Sequence, residues 1–151
     1  MSYRKKFRIA GLGKRARFAE TMQPVMAHHF ARTEAHIVGY LKNPGSEALH
    51  DLRIALRRFR YILELYWTAM KPARFKKVYE MAVRLQNLLG ERRDIDVMQA
   101  KLADICREAK AEMPAFIAES FSAQRRNLET QIAESLNEFL HHKQVRKLAD
   151  R

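Results

Sequence analysis

The chain has 151 residues, with 29 Lys and Arg against 17 Asp and Glu, a formal charge of +12 at neutral pH. Its 47% hydrophobic content is enough for one substantial core, while five Gly, four Pro and few β-branched runs disfavour a sheet. Cys106 stands alone, which excludes an internal disulfide and a cysteine-based zinc cage, and no apolar run approaches the roughly 20 residues of a membrane helix. The basic start leads into no apolar stretch of signal-peptide length. A soluble, cytoplasmic, all-α protein with a polyanionic partner is expected.

Residues 1–14 carry Arg4, Lys5, Lys6, Arg8 and Lys14, no acid, and Gly11 and Gly13. They read as a flexible basic arm, and residues 15–151 as a single helical domain. A first helix is expected from about Arg15 to Leu41, with Phe18, Met22, Val25, His29, Ile37 and Tyr40 or Leu41 on its inner face. Pro24 should kink it or mark a restart. His28, His29 and His36 are read as core or groove-lining residues. His29 and His36 are two turns apart and no acid completes a metal site.

Asn43-Pro44-Gly45 makes a turn, and Ser46 is the expected N-cap of a second helix reaching about Met70. In that helix Leu49, Leu52, Leu56, Phe59, Leu63 and Tyr66 recur at steps of three and four. His50, Arg53, Arg57 and Arg60 follow the same steps one position later. They must form a second stripe about 100° round the helix and roughly 15 Å long. Glu64 and Trp67 close it, with Glu64 spaced to contact Arg60 at i, i+4. Arg58 lies on a neighbouring face. A line of planar cations beside an apolar seam suits multidentate binding of a long, repetitive oxyanion. The plainer alternative is a solvated face.

Pro72 suits the first turn of a third helix. Val78, Met81, Leu85, Leu88, Ile95, Met98, Leu102 and Ile105 keep phase across Gly90 and predict one continuous helix. Close approach of the basic helix would offset the cost of a mid-helix Gly, about 1 kcal/mol relative to Ala. Arg92 falls on the apolar phase and requires either a partner or a ligand. Asp94 and Asp96 are candidates to pair with arginines and orient them. A fourth helix follows Glu112-Met113-Pro114, with Ile117, Phe121, Leu128, Ile132, Leu136 and Phe139 inward, and reaches about Leu148. His141, His142, Lys143, Arg146 and Lys147 suit the negative end of its dipole. The whole is an antiparallel bundle of about four long helices.

The run H-x-x-R-x-x-x-R-R-x-R from His50 to Arg60, followed by Leu88-Leu89-Gly90-Glu91-Arg92-Arg93-Asp94-Ile95-Asp96-Val97, closely resembles the CHAD family of histidine-containing α-helical domains. The likeness is clear from about Leu41 to Leu102. It implies binding of inorganic polyphosphate in a basic groove lined by helical His, Arg and Lys, without catalysis. The residues so implicated are His50, Arg53, Arg57, Arg58 and Arg60, then Lys77, Arg84, Arg92 and Arg93. Asp94, Asp96 and Glu64 are the orienting acids.

Members of that family usually contain two related halves, each with its own His- and Arg-bearing helix. This chain has one such helix: after Leu102, His142 is followed by Val145 and Arg146 in the wrong register. A homodimer would supply the second wall. No metal and no cofactor is expected, and association with polyphosphate granules would follow from the ligand.

Nucleic-acid binding is the alternative, since Tyr61, Tyr66 and Trp67 lie near the basic line, although their phases look buried or half buried. An adaptor for acidic proteins is also open. A phosphoryl-transfer enzyme is disfavoured: Gly11-Leu12-Gly13-Lys14 is too short for a phosphate loop, and Asp94 and Asp96 point different ways on a helix.

Overall fold

A computed structural model of the chain describes Ile9, Leu12 and residues 15–148. The basic arm expected over residues 1–14 therefore lies outside the described residues, except that Ile9 and Leu12 pack half-buried against the core. Four long helices follow: α1 (Phe18–Lys42), α2 (Ser46–Leu65), α3 (Pro72–Glu108) and α4 (Ala115–His141). A short α5 (Lys143–Arg146) closes the described chain. No strand occurs among the described residues, and the all-α bundle expected from periodicity is what forms.

α1 runs unbroken through Pro24. The proline forfeits one backbone hydrogen bond, but Val25, Met26 and Phe30 are packed on the next turns and hold the helix together. The inner face is shifted from the expected one. Met26, Phe30 and Thr33 are buried, whereas His29 is half-buried and Phe18 is exposed. Phe18 instead stacks on Tyr66 at 4.8 Å between ring centroids, and the Thr21 and Tyr66 hydroxyls share a hydrogen bond of 2.7 Å. The start of α1 is thereby clasped to the end of α2.

Gly45, not Ser46, occupies the N-cap position of α2, and no side chain caps it. The helix stops at Leu65, and a 3-10 turn over Trp67–Ala69 carries the chain to Pro72, which sits in the first turn of α3. The expected seam of α2 is its core face: Leu49, Leu52, Leu56, Phe59 and Leu63 are all buried. Phe59 meets Phe30 of α1 at 6.2 Å and Phe139 of α4 at 5.9 Å between centroids. Each such fully buried ring contributes about 1.5–3 kcal/mol by transfer alone, so this trio ties three helices at one point.

α3 is continuous across Gly90. The reason expected for that glycine does not hold, because a Cβ built there would meet nothing within 4 Å. At 37 residues α3 is about 55 Å long against about 30 Å for the 20-residue α2. Its last buried residue is Ile95, and Met98 and Ile105, expected inside, are exposed. Lys110, at φ 52, turns the chain back. α4 buries Phe121, Leu128, Ile132, Leu136 and Phe139 as expected and leaves Phe116 exposed. It ends at His141 rather than near Leu148, because His142 adopts an extended backbone and caps α5 by accepting from the Gln144 N–H at 3.2 Å.

Candidate functional site

The cationic stripe of α2 borders α3. Tyr79 of α3 donates its hydroxyl to Glu64 Oε1 at 2.8 Å, and the same carboxylate lies 3.3 Å from Arg60 Nε. The contact expected between Arg60 and Glu64 is therefore present and is fixed from the neighbouring helix. The Arg60 guanidinium also lies 5.3 Å from the centroid of the Tyr61 ring. Hydrogen bonding to Glu64 is the leading reason that the Tyr79 hydroxyl is pushed above its ordinary pKa, with burial adding to it.

From that anchor the two helices run apart in sequence and together in space, since the chain reverses between them and α2 packs on α3. An eleven-residue step, about 16 Å, leads back to Arg53 on α2 and forward to Gly90 on α3. Gln86 and Arg93 follow Tyr79 by seven and fourteen residues and so share its face. Both are half-buried, and the Gln86 side-chain oxygen has no hydrogen-bond partner. Gly90 leaves open space on this border instead of a side chain.

Arg53 is half-buried, while Arg57 and His50 are exposed. None of Arg53, Arg57 and Arg93 is ion-paired with an acid among the described residues. Asp94 is exposed and likewise pairs with no cation among them. Glu64 is thus the acid that the structure places on a line of several guanidinium groups.

The other candidates lie elsewhere. Arg58 is five residues after Arg53, about 140° round the helix, and lines a cavity between α1 and α2. Lys77 and Arg84 line a small cavity with Ser135 and Glu138 of α4, with Arg84 Nη1 3.9 Å from Glu138 Oε2. Arg92 is only 7% exposed. Its Nη2 donates to Glu129 Oε1 at 3.1 Å, and its Nη1 meets the Asp96 carboxylate. Asp96 also takes Arg125 Nη2 at 3.1 Å, and Arg125 donates to Gln99. Burial alone would lower the Arg92 pKa, but hydrogen bonds and charge from Asp96 and Glu129 outweigh it and leave it raised. Of the two outcomes open to Arg92 from sequence, the structure realises the internal partner. Asp96 pairs with two arginines, Arg92 of its own helix and Arg125 of α4.

Two of the aromatics differ from expectation. Tyr66 is buried, but Tyr61 and Trp67 are 51% and 59% exposed beside the basic line. Tyr79, Gln86, Arg125 and Glu129 are the residues that sequence reasoning missed. Their roles depend on which helices touch, and the one available signal was the seven-residue spacing of Tyr79, Gln86 and Arg93. Among the described residues no group of three or more His, Cys, Asp or Glu is placed to hold a metal ion, and no helix is long and apolar enough to cross a membrane.

A family model described as CHAD domain matches residues 17–151. The chain belongs to the CHAD family. CHAD domains are known as polyphosphate-associated domains. The match extends the likeness well beyond the two motifs, from the start of α1 past α5. No curated protein and no solved structure matches the chain.

Proposed function

We propose that this CHAD domain binds inorganic polyphosphate without catalysis along the border of α2 and α3, through Arg53, Arg57, Arg60 and Arg93, with His50 at the end of the line. The supporting observation is the imbalance of charge: among the described residues a row of guanidinium groups on one helix edge is answered by the one carboxylate of Glu64. Like charges held about 6 Å apart repel, and a flexible polyanion relieves that repulsion at successive phosphoryl groups by charge-assisted hydrogen bonds. Four phosphate contacts would cost roughly 20-fold in affinity when salt is tripled, by counterion release as known for single-stranded nucleic acids. Equal affinity at both salt concentrations would contradict the mechanism. Orthophosphate released from polyphosphate by the protein with Mg²⁺ would contradict the non-catalytic reading.

Single-stranded nucleic acid is the second reading, favoured by the exposed Tyr61 and Trp67 rings beside the arginines, which could stack bases. A competition titration separates the two. Polyphosphate should displace single-stranded DNA at equal phosphate concentration; displacement only in the reverse direction would favour the second reading.

A homodimer belongs to the same proposal. The half of α3 beyond Ile95 and the start of α4 carry exposed Met98, Ile105 and Phe116. From Asp96 to Phe116 this segment is close to neutral, with Lys101, Arg107 and Lys110 against Asp96, Asp104, Glu108 and Glu112. Two copies can meet there without the repulsion of the +12 chain, patch to identical patch. Light scattering at micromolar concentration should give twice the chain mass, and the chain mass for Ile105→Asp/Phe116→Asp. A wild-type monomer in both low and high salt would end this part of the proposal.

A further inference from the structure

On the other side of α2, away from the arginine line, an open cavity of about 610 Å³ lies between α1 and α2, lined also by Ile9. His28, His29, Arg32 and His36 line it from α1, and Asp51 and Arg58 from α2. Two permanent cations and three imidazoles therefore face one carboxylate. The two neighbouring histidine rings lie edge to face, 5.3 Å between centroids. Neither Arg32 nor Arg58 has an ion pair among the described residues. The volume is that of a small-molecule site.

We propose that this cavity is a second, proton-coupled site for a compact phosphoryl anion of pyrophosphate size, held by Arg32 and Arg58 and completed by the imidazoles of His28, His29 and His36, with His29 as the proton-binding group. Among the described residues the lining sets Arg32 and Arg58 against Asp51, and a proton taken up at His29 adds to the positive side. Burial, then the charges of His28, Arg32 and Arg58, hold the His29 pKa below its ordinary value. A bound anion reverses the electrostatic part of that effect, so anion binding and proton uptake favour each other. Pyrophosphate loses negative charge as pH falls, so tighter binding on acidification must originate in the protein.

The test is a titration of pyrophosphate into the full chain, followed by histidine side-chain resonances at about pH 6 and about pH 8. The His28, His29 and His36 signals should move saturably while those of His141 and His142 stay in place, with affinity about tenfold tighter at the lower pH. Arg32→Ala/Arg58→Ala should abolish the shifts, and Arg126→Ala, which removes an exposed charge on α4, should leave them unchanged. If the double variant does not fold, the wild-type signals still decide. Static His28, His29 and His36 signals, shifts shared by His141 and His142, or equal affinity at both pH values would overturn the proposal.

Discussion

Arg92 and the arginines of α2 are the same residue type a helix apart, and the structure treats them in opposite ways. Arg92 is enclosed by Asp96 and Glu129 and tied through Asp96 to Arg125, so its charge is consumed within the fold. Arg53 lies half-buried at the edge of the core and Arg57 is exposed, with no acid among the described residues to answer either. A motif that spans both therefore mixes a structural cation with cations available to a ligand, and burial with ion pairing separates the two.

The largest expected effect comes from breaking the enclosed side. Arg92→Ala leaves Glu129 without its partner and the half-buried Asp96 with Arg125 alone, and should cost about 2–3 kcal/mol, below the 3–5 kcal/mol of a fully buried pair because Glu129 is partly hydrated and Asp96 keeps one cation. Urea unfolding measures it; a loss under about 0.5 kcal/mol would mean that Arg92 is not the internal strut described. Gly90→Ala should stabilise by up to about 1 kcal/mol, since the added methyl meets nothing within 4 Å, and the same melts would expose any loss.

Acid tests the α1–α2 side of the comparison. Because the His29 pKa is depressed on folding, the unfolded chain binds more protons between the folded value and 6.5. The His29 contribution is fully present above 6.5 and is lost as pH falls through that window. Stability should drop across it in the wild type and less steeply in His29→Gln, as read from melts at several pH values. The smallest expected effect is at Glu64, the acid on the arginine line. Glu64→Gln frees Arg60 while keeping an acceptor for Tyr79, and should tighten polyphosphate binding roughly threefold, the scale of a partly exposed ion pair. Weaker binding would make Glu64 a positioning residue for Arg60 instead.

Periodicity carried the architecture because the seams of α2 and α4 are strict, and on the phase of His50, Arg53, Arg57 and Arg60 the structure leaves Arg53 and Arg60 half-buried and His50 and Arg57 exposed. The same reasoning marked Arg92 as an outlier that needed a partner. It could not say which acids would come, since Glu129 is 37 residues away in sequence. On α1, Pro24 obscured the phase, and Met26 and Phe30 were passed over for His29 and Phe18. Met98 and Ile105 kept the apolar phase of α3 but lie beyond the reach of the shorter α2. An amphipathic pattern reports a face fit for burial, not whether another element covers it. Tyr79 and the space at Gly90 depend on packing that no single-helix pattern encodes.

Calorimetric titration of long-chain polyphosphate into wild type and Arg53→Ala/Arg57→Ala bears most directly on the arginine line. Two lost charge-assisted contacts should weaken binding at least about 100-fold, while the unfolding midpoint shifts little because neither side chain has an ion pair among the described residues. Unchanged affinity in a folded double variant would contradict the assignment of polyphosphate to this face of α2.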